Sequence, residues 1–485
     1  MAIFPPGGSS MRRFLLDNDG SNLFYNLGDD PAAAVDEAVR ECPASVTTYL
    51  QCSGAGSSYW PTRIGHVDPR ATGLVAAHAR GIDPLGMLLR GLKASGKETF
   101  ITLRMNDVHN PTDADQWNTP RIRQEHPDVI VGADEVRAGR AEWMSYCLDY
   151  GRDEVRRWTL SLLEEQVALY GGVVDGFQLD WMRFPRHLSG APDQVWERRG
   201  VISDFMADVR AVLGKSGRQL LLSARVPTSP AGCRRLGFDL ADWGARGLVD
   251  FLVACPFLTT EWHVPVEDLR AWSGGAFPVY AGFDFGFGEQ SHFSESLRGA
   301  CSALYDCGAD GIYLFNFPCW TEYLAARPYH WLRGLDTPGG AAEKPLLLAV
   351  DHSRHRLSGI DQAAPLPAPL AAEAETVLPV WVPARTLPAW RSLCLIQSGG
   401  DVGLSLNGQP AAPANWWPQT SSAHRSEIFV EFVDQYWNKD ARPRPEDCRA
   451  FRVDPASLRP GWNQLAVANR TGNDLEIRRV NLALW

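Results

Sequence analysis

The chain contains no run of about 18 apolar residues, so no membrane-spanning helix is written into it. Its ten cysteines form no C-x-x-C pair and keep no regular spacing. Cys52, Cys255 and Cys301 fall in apolar segments, where a reduced thiol packs as a small hydrophobe, so a reducing compartment is expected. The amino terminus, M-A-I-F-P-P-G-G-S-S-M-R-R-F-L-L-D, lacks the long apolar segment of a secretory signal. The expected location is therefore cytoplasmic, or extracellular if a leader was trimmed. Basic residues are outnumbered, 47 Lys and Arg against 57 Asp and Glu, giving a net charge of −10. That balance argues against nucleic acid or an anionic membrane as a main partner. There is no G-x-G-x-x-G after the first strand, no Walker loop and no G-x-S-x-G elbow. No lysine ends a strand for Schiff-base work. No His-x-His closes strand one, and His66, His78, His109, His126 and His187 are scattered, so no metal is expected. A Ca²⁺ shared by Asp17 and Asp19 has only their closeness in its favour. No cofactor is expected either.

What is present is size, apolar content and aromatics. A length of 485 residues suits two or three domains, and 45% hydrophobic with 21% charged residues is a globular composition. Eighteen Trp and twelve Tyr exceed what a bland core needs. Aromatic faces suit sugar rings, although they are also good core material.

From Met11 the chain alternates strand-like and helix-like segments. Eight strands are expected at 13–16, 46–51, 99–104, 173–179, 219–225, 249–255, 277–283 and 311–315. Helices are expected at 31–42, 84–95, 153–170, 194–213, 240–246, 266–272, 294–307 and 322–332. Eight such alternations predict a (β/α)₈ TIM barrel over 11–337, with an open doubly wound sheet as the runner-up. Two long connections, 52–83 and 106–152, the second carrying Trp117, His126 and Trp143, fall on the carboxyl side of their strands, where barrel enzymes work. The Pro, Gly and Ala content of 338–376 reads as a linker. From 377 to 485, short alternating runs such as V-G-L-S-L-N-G, E-I-F-V-E-F-V and Q-L-A-V-A-N predict a jelly-roll-like β-sandwich. Such a module either binds sugar or only packs on the barrel.

The stretch V-V-D-G-F-Q-L-D-W-M-R-F-P organises the rest. It begins as a covered strand and then delivers Asp180, Trp181 and Arg183 before Pro185 ends ladder pairing. A carboxylate at the end of an apolar strand is costly to bury unless paired or used. Asp180 is therefore the first catalytic candidate, and an Asp180–Arg183 ion pair capping the strand is the structural alternative. Other strand ends repeat the pattern: Asp17 and Asp19, then Arg104, Asn106, Asp107 and His109, then Arg225, then Glu261 and Trp262, then Asp284, then Asn316. Convergent polar groups on an apolar scaffold are how sites are built. Glycoside hydrolysis needs two carboxylates, one kept protonated by burial or a like charge. Asp284 and Glu261 are the candidate partners of Asp180, with Asp107 third. Asp19, Arg104, Asn106, His109, Trp181, Arg183, Arg225, Trp262 and Asn316 are candidates to hold sugar hydroxyls or an anionic group. Each of these loop carboxylates taken alone also fits a helix cap or an Arg partner.

The motif V-D-G-F-Q-L-D-W-M-R-F-P resembles the D-G-x-x-x-D-x-x-R-[FY]-P element of the glycosyl-hydrolase-like TIM-barrel family labelled "family 10-like". F-I-T-L-R-M-N-D-V-H and G-A-D-G-I-Y-L-F-N-F extend the resemblance over roughly 11–335, leaving the sandwich outside it. Starch-degrading barrels carry a similar D-G-F-R-x-D whose last Asp is the nucleophile. This chain has Gln178 in place of that Arg, and Arg225 rather than Glu at the end of strand five, so their acid–base scheme does not transfer. The resemblance implies a barrel acting on an oligosaccharide or polysaccharide. The expected function is a glycoside hydrolase. The alternatives are an inactive carbohydrate-binding barrel, or a lyase or metal-assisted hydrolase.

Overall fold

The computed structural model describes residues 12–54, 56–109, 119–284, 292, 294–320, 328–414 and 447–485. Eight parallel strands close into a barrel in chain order: β1 (Phe14–Asn18), β2 (Thr48–Cys52), β3 (Glu98–Arg104), β4 (Gly176–Asp180), β5 (Leu221–Val226), β6 (Phe251–Ala254), β7 (Val279–Asp284) and β8 (Ile312–Phe315). β8 pairs back onto β1, which removes any free edge. Each strand overlaps its expected segment. The helices Pro31–Glu41, Pro84–Ala94, Asp153–Tyr170, Leu240–Arg246, Val266–Trp272 and Ser294–Asp306 also fall where their patterns place them. Asp30 and Asp83 cap two of these helices through their carboxylates, each followed by a proline at the first helical position. The expected helix 194–213 is instead two, Pro192–Glu197 and Gly200–Gly214. Of the expected helix 322–332, residues 322–327 lie outside the described residues, and Tyr329–Leu332 is a single 3₁₀ turn.

Side chains of one parity fill the barrel in layers. Leu15, Leu50, Phe100, Phe251, Tyr280 and Tyr313 belong to one buried apolar cluster. Bulk on one strand is matched by glycine on the next. A Cβ at Gly176 would lie 2.5 Å from the Phe100 ring, and one at Gly282 would lie 2.7 Å from the Tyr313 ring. Below, Arg13 pairs with Glu98 at 2.6 Å and donates to the Tyr280 hydroxyl at 2.9 Å, closing the amino-terminal end. Above comes a polar layer. Gln178 donates to Ser223 at 3.2 Å and accepts from the Tyr313 hydroxyl at 3.3 Å. The next layer up is charged, and it holds the site.

The remaining strands are β9 (Leu346–Ala349), β10 (Ala368–Leu370), β11 (Glu375–Val382), β12 (Ser392–Gln397), β13 (Val402–Leu406), β14 (Gln409–Pro410), β15 (Ala412–Ala414), β16 (Cys448–Val453), β17 (Gly461–Asn469), β18 (Leu475–Ile477) and β19 (Arg479–Leu484). They form a four-stranded sheet, β11-β17-β13-β14, a five-stranded sheet, β15-β16-β12-β19-β9, and the pair β10-β18. The alternating burial of β11 and β17 is that of a sheet with one covered face. The stretch E-I-F-V-E-F-V lies outside the described residues.

The segment 338–376 is not a bare linker: it supplies β9, an edge of the five-stranded sheet, through Leu346–Leu348, which are all buried. β9 also lies against the barrel helix Ser294–Asp306, where a Cβ on Gly299 would come within 1.8 Å of the Leu347 carbonyl. Asp306, at the end of that helix, accepts from Trp381 Nε1 and from the Ala384 amide, both at 3.1 Å. Residues 351–362 then run back as a strap over the loop after β6.

Candidate active site at the carboxyl end of the barrel

Strand register decides which side chains meet. Arg104, Asp180 and Arg225 are successive register partners on β3, β4 and β5, so the three stand at one level inside the barrel. Opposite them, Asp17, Phe315 and Asp284 are register partners on β1, β8 and β7. Asp17, Asp180, Arg225 and Asp284 are all buried, at 0, 0, 0 and 2% exposure. The rule of two along a strand thus sends acids distant in sequence to a common interior.

Asp180 is fully engaged. Its Oδ1 accepts from the amides of Met182 and Arg183, at 2.9 and 3.1 Å, which turns the chain off the strand. Its Oδ2 accepts from Arg225 Nη1 at 3.2 Å. The ion pair is therefore with Arg225, not with the Arg183 guanidinium that the sequence suggested. Arg225 reaches on across the barrel, donating to the Pro256 carbonyl at 2.7 Å and lying 4.1 Å from the centre of the Phe315 ring. Phe184, two residues before Arg186, sits at φ 51°, a left-handed conformation rare for an aromatic residue and characteristic of functional loops.

Asp17 has a different environment. Its Oδ2 accepts from Thr102 at 2.7 Å, while Oδ1 is buried without a hydrogen-bond partner among the described residues. Burial, reinforced by the neighbouring Asp180 charge, pushes its pKa up to about 7, against the pull of Thr102, Arg225 and Arg104. The sequence named Asp17 as a calcium candidate and as one of the polar strand ends, not as a catalytic acid. Its inward parity with Leu15, the signal for a buried acid, was there to be read. Asp17 and Asp19 have different partners: Asp19 pairs with Arg104, and its amide donates to Asn316 Oδ1 at 3.1 Å.

Asp284 ends β7, where its amide donates to the Thr259 carbonyl at 3.2 Å. The Cys255 thiol, pushed up to about 12 by burial, lies within electrostatic reach of Arg225, Asp284 and Asp180 together. Asp284 thus shares the hollow with Asp180. Asn316 adopts φ 61°, which asparagine tolerates, and it joins β8 to Asp19.

At the rim runs a chain of charges: Asp19, Arg104, Asp107, His109 and Arg183. Arg104 meets Asp19 and, at 3.3 Å, Asp107; Asp107 in turn meets His109 Nδ1. The His109 side chain, 38% exposed, receives Arg183 Nη2 at 2.8 Å on Nε2. Despite its burial, the Asp107 carboxyl is held below its usual range, by its contact with His109 first and then by the Arg104 and Arg183 charges. Trp143, 44% exposed, stands beside Phe184 and Phe257 and anchors its indole N–H on the Val108 carbonyl at 2.6 Å. It belongs with the site, and its position in the long loop after β3 was the only sequence signal for it.

Four expected site residues lie elsewhere or are spent. Glu261 does not face Asp180 as a second acid. It accepts from the Gln362 amide at 2.9 Å and from Gln362 Nε2 at 2.6 Å, and so fastens the strap. Arg356 binds the same junction through Asp351, Gln362 and the Thr260 carbonyl. Trp262 is buried at that junction, its amide donating to Asp351 at 3.1 Å. Trp181 points out of the barrel, packed against Tyr150, His187, Phe205 and Phe238, because it is one residue out of phase with Asp180. Asn106 is structural: its amide nitrogen meets His187 and the carbonyls of Phe184 and Arg186, and its oxygen takes the Leu148 amide at 2.8 Å.

Beside the rim lies a cleft of about 540 Å³ whose walls include Trp143, Arg186 and His187 on the barrel side and Leu357, Ser358 and Ile360 on the strap. Trp143 lines the cleft and also packs on Phe184, the neighbour of Arg183 at the rim.

No family model matches the chain, and no curated protein matches it. Solved structures resemble it only distantly. The glycoside hydrolase domain of PgaB (BpsB) from Bordetella bronchiseptica is 12% identical with a TM-score of 0.44, covering 67% of this chain and 98% of that one. The maltogenic α-amylase AmyB from Thermotoga neapolitana is 10% identical with a TM-score of 0.41, covering 77% and 86%. The GH30 endoxylanase from Clostridium papyrosolvens C71 is 11% identical with a TM-score of 0.38, covering 94% and 96%. Likenesses this distant say nothing of this chain's chemistry, which rests on the site itself.

Proposed function

We propose that the chain is a glycoside hydrolase that cleaves a glycosidic bond of an oligosaccharide or polysaccharide at the carboxyl end of the barrel. One observation carries the reading. Two inward acids on β1 and β4 stand in different surroundings. Asp180 has Arg225 and two amides for its negative charge, whereas Asp17 has burial and a single hydroxyl and titrates near 7. An acid raised by burial near a carboxylate bound by an arginine suits acid catalysis with two carboxylates. Asp17 is then the proton donor and Asp180 the anionic partner, with Asp284 the third acid of the hollow. Arg104, His109 and Arg183 hold the substrate, and Trp143 offers a ring face to a sugar.

A second reading has its own support. Both oxygens of Asp180 are already engaged and none of its surface is exposed. That fits a barrel that binds a glycan without cutting it. Product release from a polysaccharide panel separates the two. Hydrolysis that falls at least about 100-fold in folded Asp17→Asn and Asp180→Asn supports the enzyme. Full activity in either variant removes that residue from the mechanism. Glycan binding with no product from any substrate favours the binding protein.

A further inference from the structure

Arg183 is 6% exposed, yet two of its three guanidinium nitrogens, Nε and Nη1, have no hydrogen-bond partner among the described residues. Only Nη2 is satisfied, by His109 Nε2 at 2.8 Å. That bond fixes the histidine, because arginine can only donate: Nε2 accepts, and Nδ1 is left to face Asp107. No carboxylate forms an ion pair with Arg183 among the described residues. The acids within electrostatic reach are taken: Asp19 and Asp107 by Arg104, and Asp180 by Arg225. Arg104 adds a like charge, and with burial it pulls the guanidinium below its ordinary range. The faces of Phe184 and Phe257, with centroids 5.1 and 5.7 Å away, offset only part of this. A buried cation with open donors is costly unless something completes it.

The geometry points to Arg183 as the receptor for an anionic substituent on the sugar, so that the substrate is an acidic glycan bearing a carboxylate or a sulfate ester. This deepens the hydrolase reading and rests on the same site. The exposed members of the surrounding cluster, His109 and Trp143, both stand edge-on to Phe184. Phe184 also carries the Arg183 guanidinium, so His109, Trp143 and Arg183 gather round one ring. Arginine suits this task because its charge persists at any working pH and its planar donors match an oxyanion.

The test is binding, measured by calorimetry on the full chain. The probes are an oligouronate, the same oligouronate as its methyl ester, a sulfated oligosaccharide and a neutral one. The free acid or the sulfated sugar should bind at least 10-fold tighter than its uncharged counterpart, and whichever does so names the substituent. The preference should shrink with added salt and should fall below about 3-fold in Arg183→Met. Equal affinity for acid and ester in the wild-type chain overturns the inference with no variant needed, as does undiminished preference in folded Arg183→Met. Selective binding of an acidic glycan that is never cleaved leaves Arg183's role standing and sinks the hydrolase reading. Cleavage of neutral glycans with no charge preference does the reverse.

Discussion

Asp180 and Arg225 are neighbours in register on β4 and β5, and their side chains meet at 3.2 Å with neither reaching solvent. Removing one partner strands the other charge in the barrel, at a cost of about 3–5 kcal/mol. Asp180→Asn and Arg225→Met should therefore each destabilise strongly, while the double variant should lose less than the sum. A double-mutant cycle in urea measures the coupling, and strict additivity would show that the pair does not interact in solution.

The stability contributed by Asp17 and Asp361 should fall as pH rises from about 4 to 7, opposed up to about 6.5 by the buried His187 and His292, whose burial lowers them to about 4 and about 3. Asp17 and Asp361 both titrate near 7 in the folded chain, each raised chiefly by burial and then by a neighbouring acid, Asp180 and Glu261 respectively. In the unfolded chain both ionise near 4. Below that pH both states carry the proton, and the stabilising contribution is complete. Between the two values only the folded state holds it, so stability drains away, on the order of a few kcal/mol by pH 7. Asp17→Asn cannot ionise and should flatten that slope in urea titrations run at several pH values. An unchanged slope would show that Asp17 ionises normally.

If Asp17 is the proton donor, kcat/KM should decline on the alkaline side with a midpoint near 7. Such an enzyme has an acidic optimum. A rate that stays level to pH 9 would assign the donor to another group.

Glu261→Ala should loosen the strap and leave the barrel chemistry in place. The substitution strands the Gln362 amide and side chain and removes a neighbour of Arg356. A loss of about 1–3 kcal/mol is expected, with faster proteolysis within 351–362. If kcat instead collapses while the strap stays protected, Glu261 is catalytic after all.

Gly299→Ala tests how the sandwich is seated. The added methyl would press on the Leu347 carbonyl, which is backbone and cannot swing aside. Lower stability of the whole chain is expected. A neutral result would mean that β9 and its helix part easily.

Much of the architecture was legible in the linear pattern, because apolar strands alternating with amphipathic helices have few ways to bury themselves. The glycine stops, the Asp-Pro helix starts at Asp30 and Asp83, and the strand ends rich in acids and arginines are local features. They survive in any fold that keeps those elements. Asp180 stood out for the same reason: it is a charge at the end of a run that must be covered.

What the line of residues left undecided was partnership. Arg183 is near Asp180 along the chain, yet Arg225, 45 residues on, takes the carboxylate, because parallel register and inward parity outrank closeness in sequence. The same rule hid Asp17 and turned Trp181 outward. Glu261 looked like a catalyst until a strap from beyond the barrel arrived to bind it, a long-range contact that no local pattern encodes. The residues determined that acids and arginines would collect at one end of a barrel. Closure of the sheet alone decided which of them face each other, since only a closed ring brings its first strand beside its last.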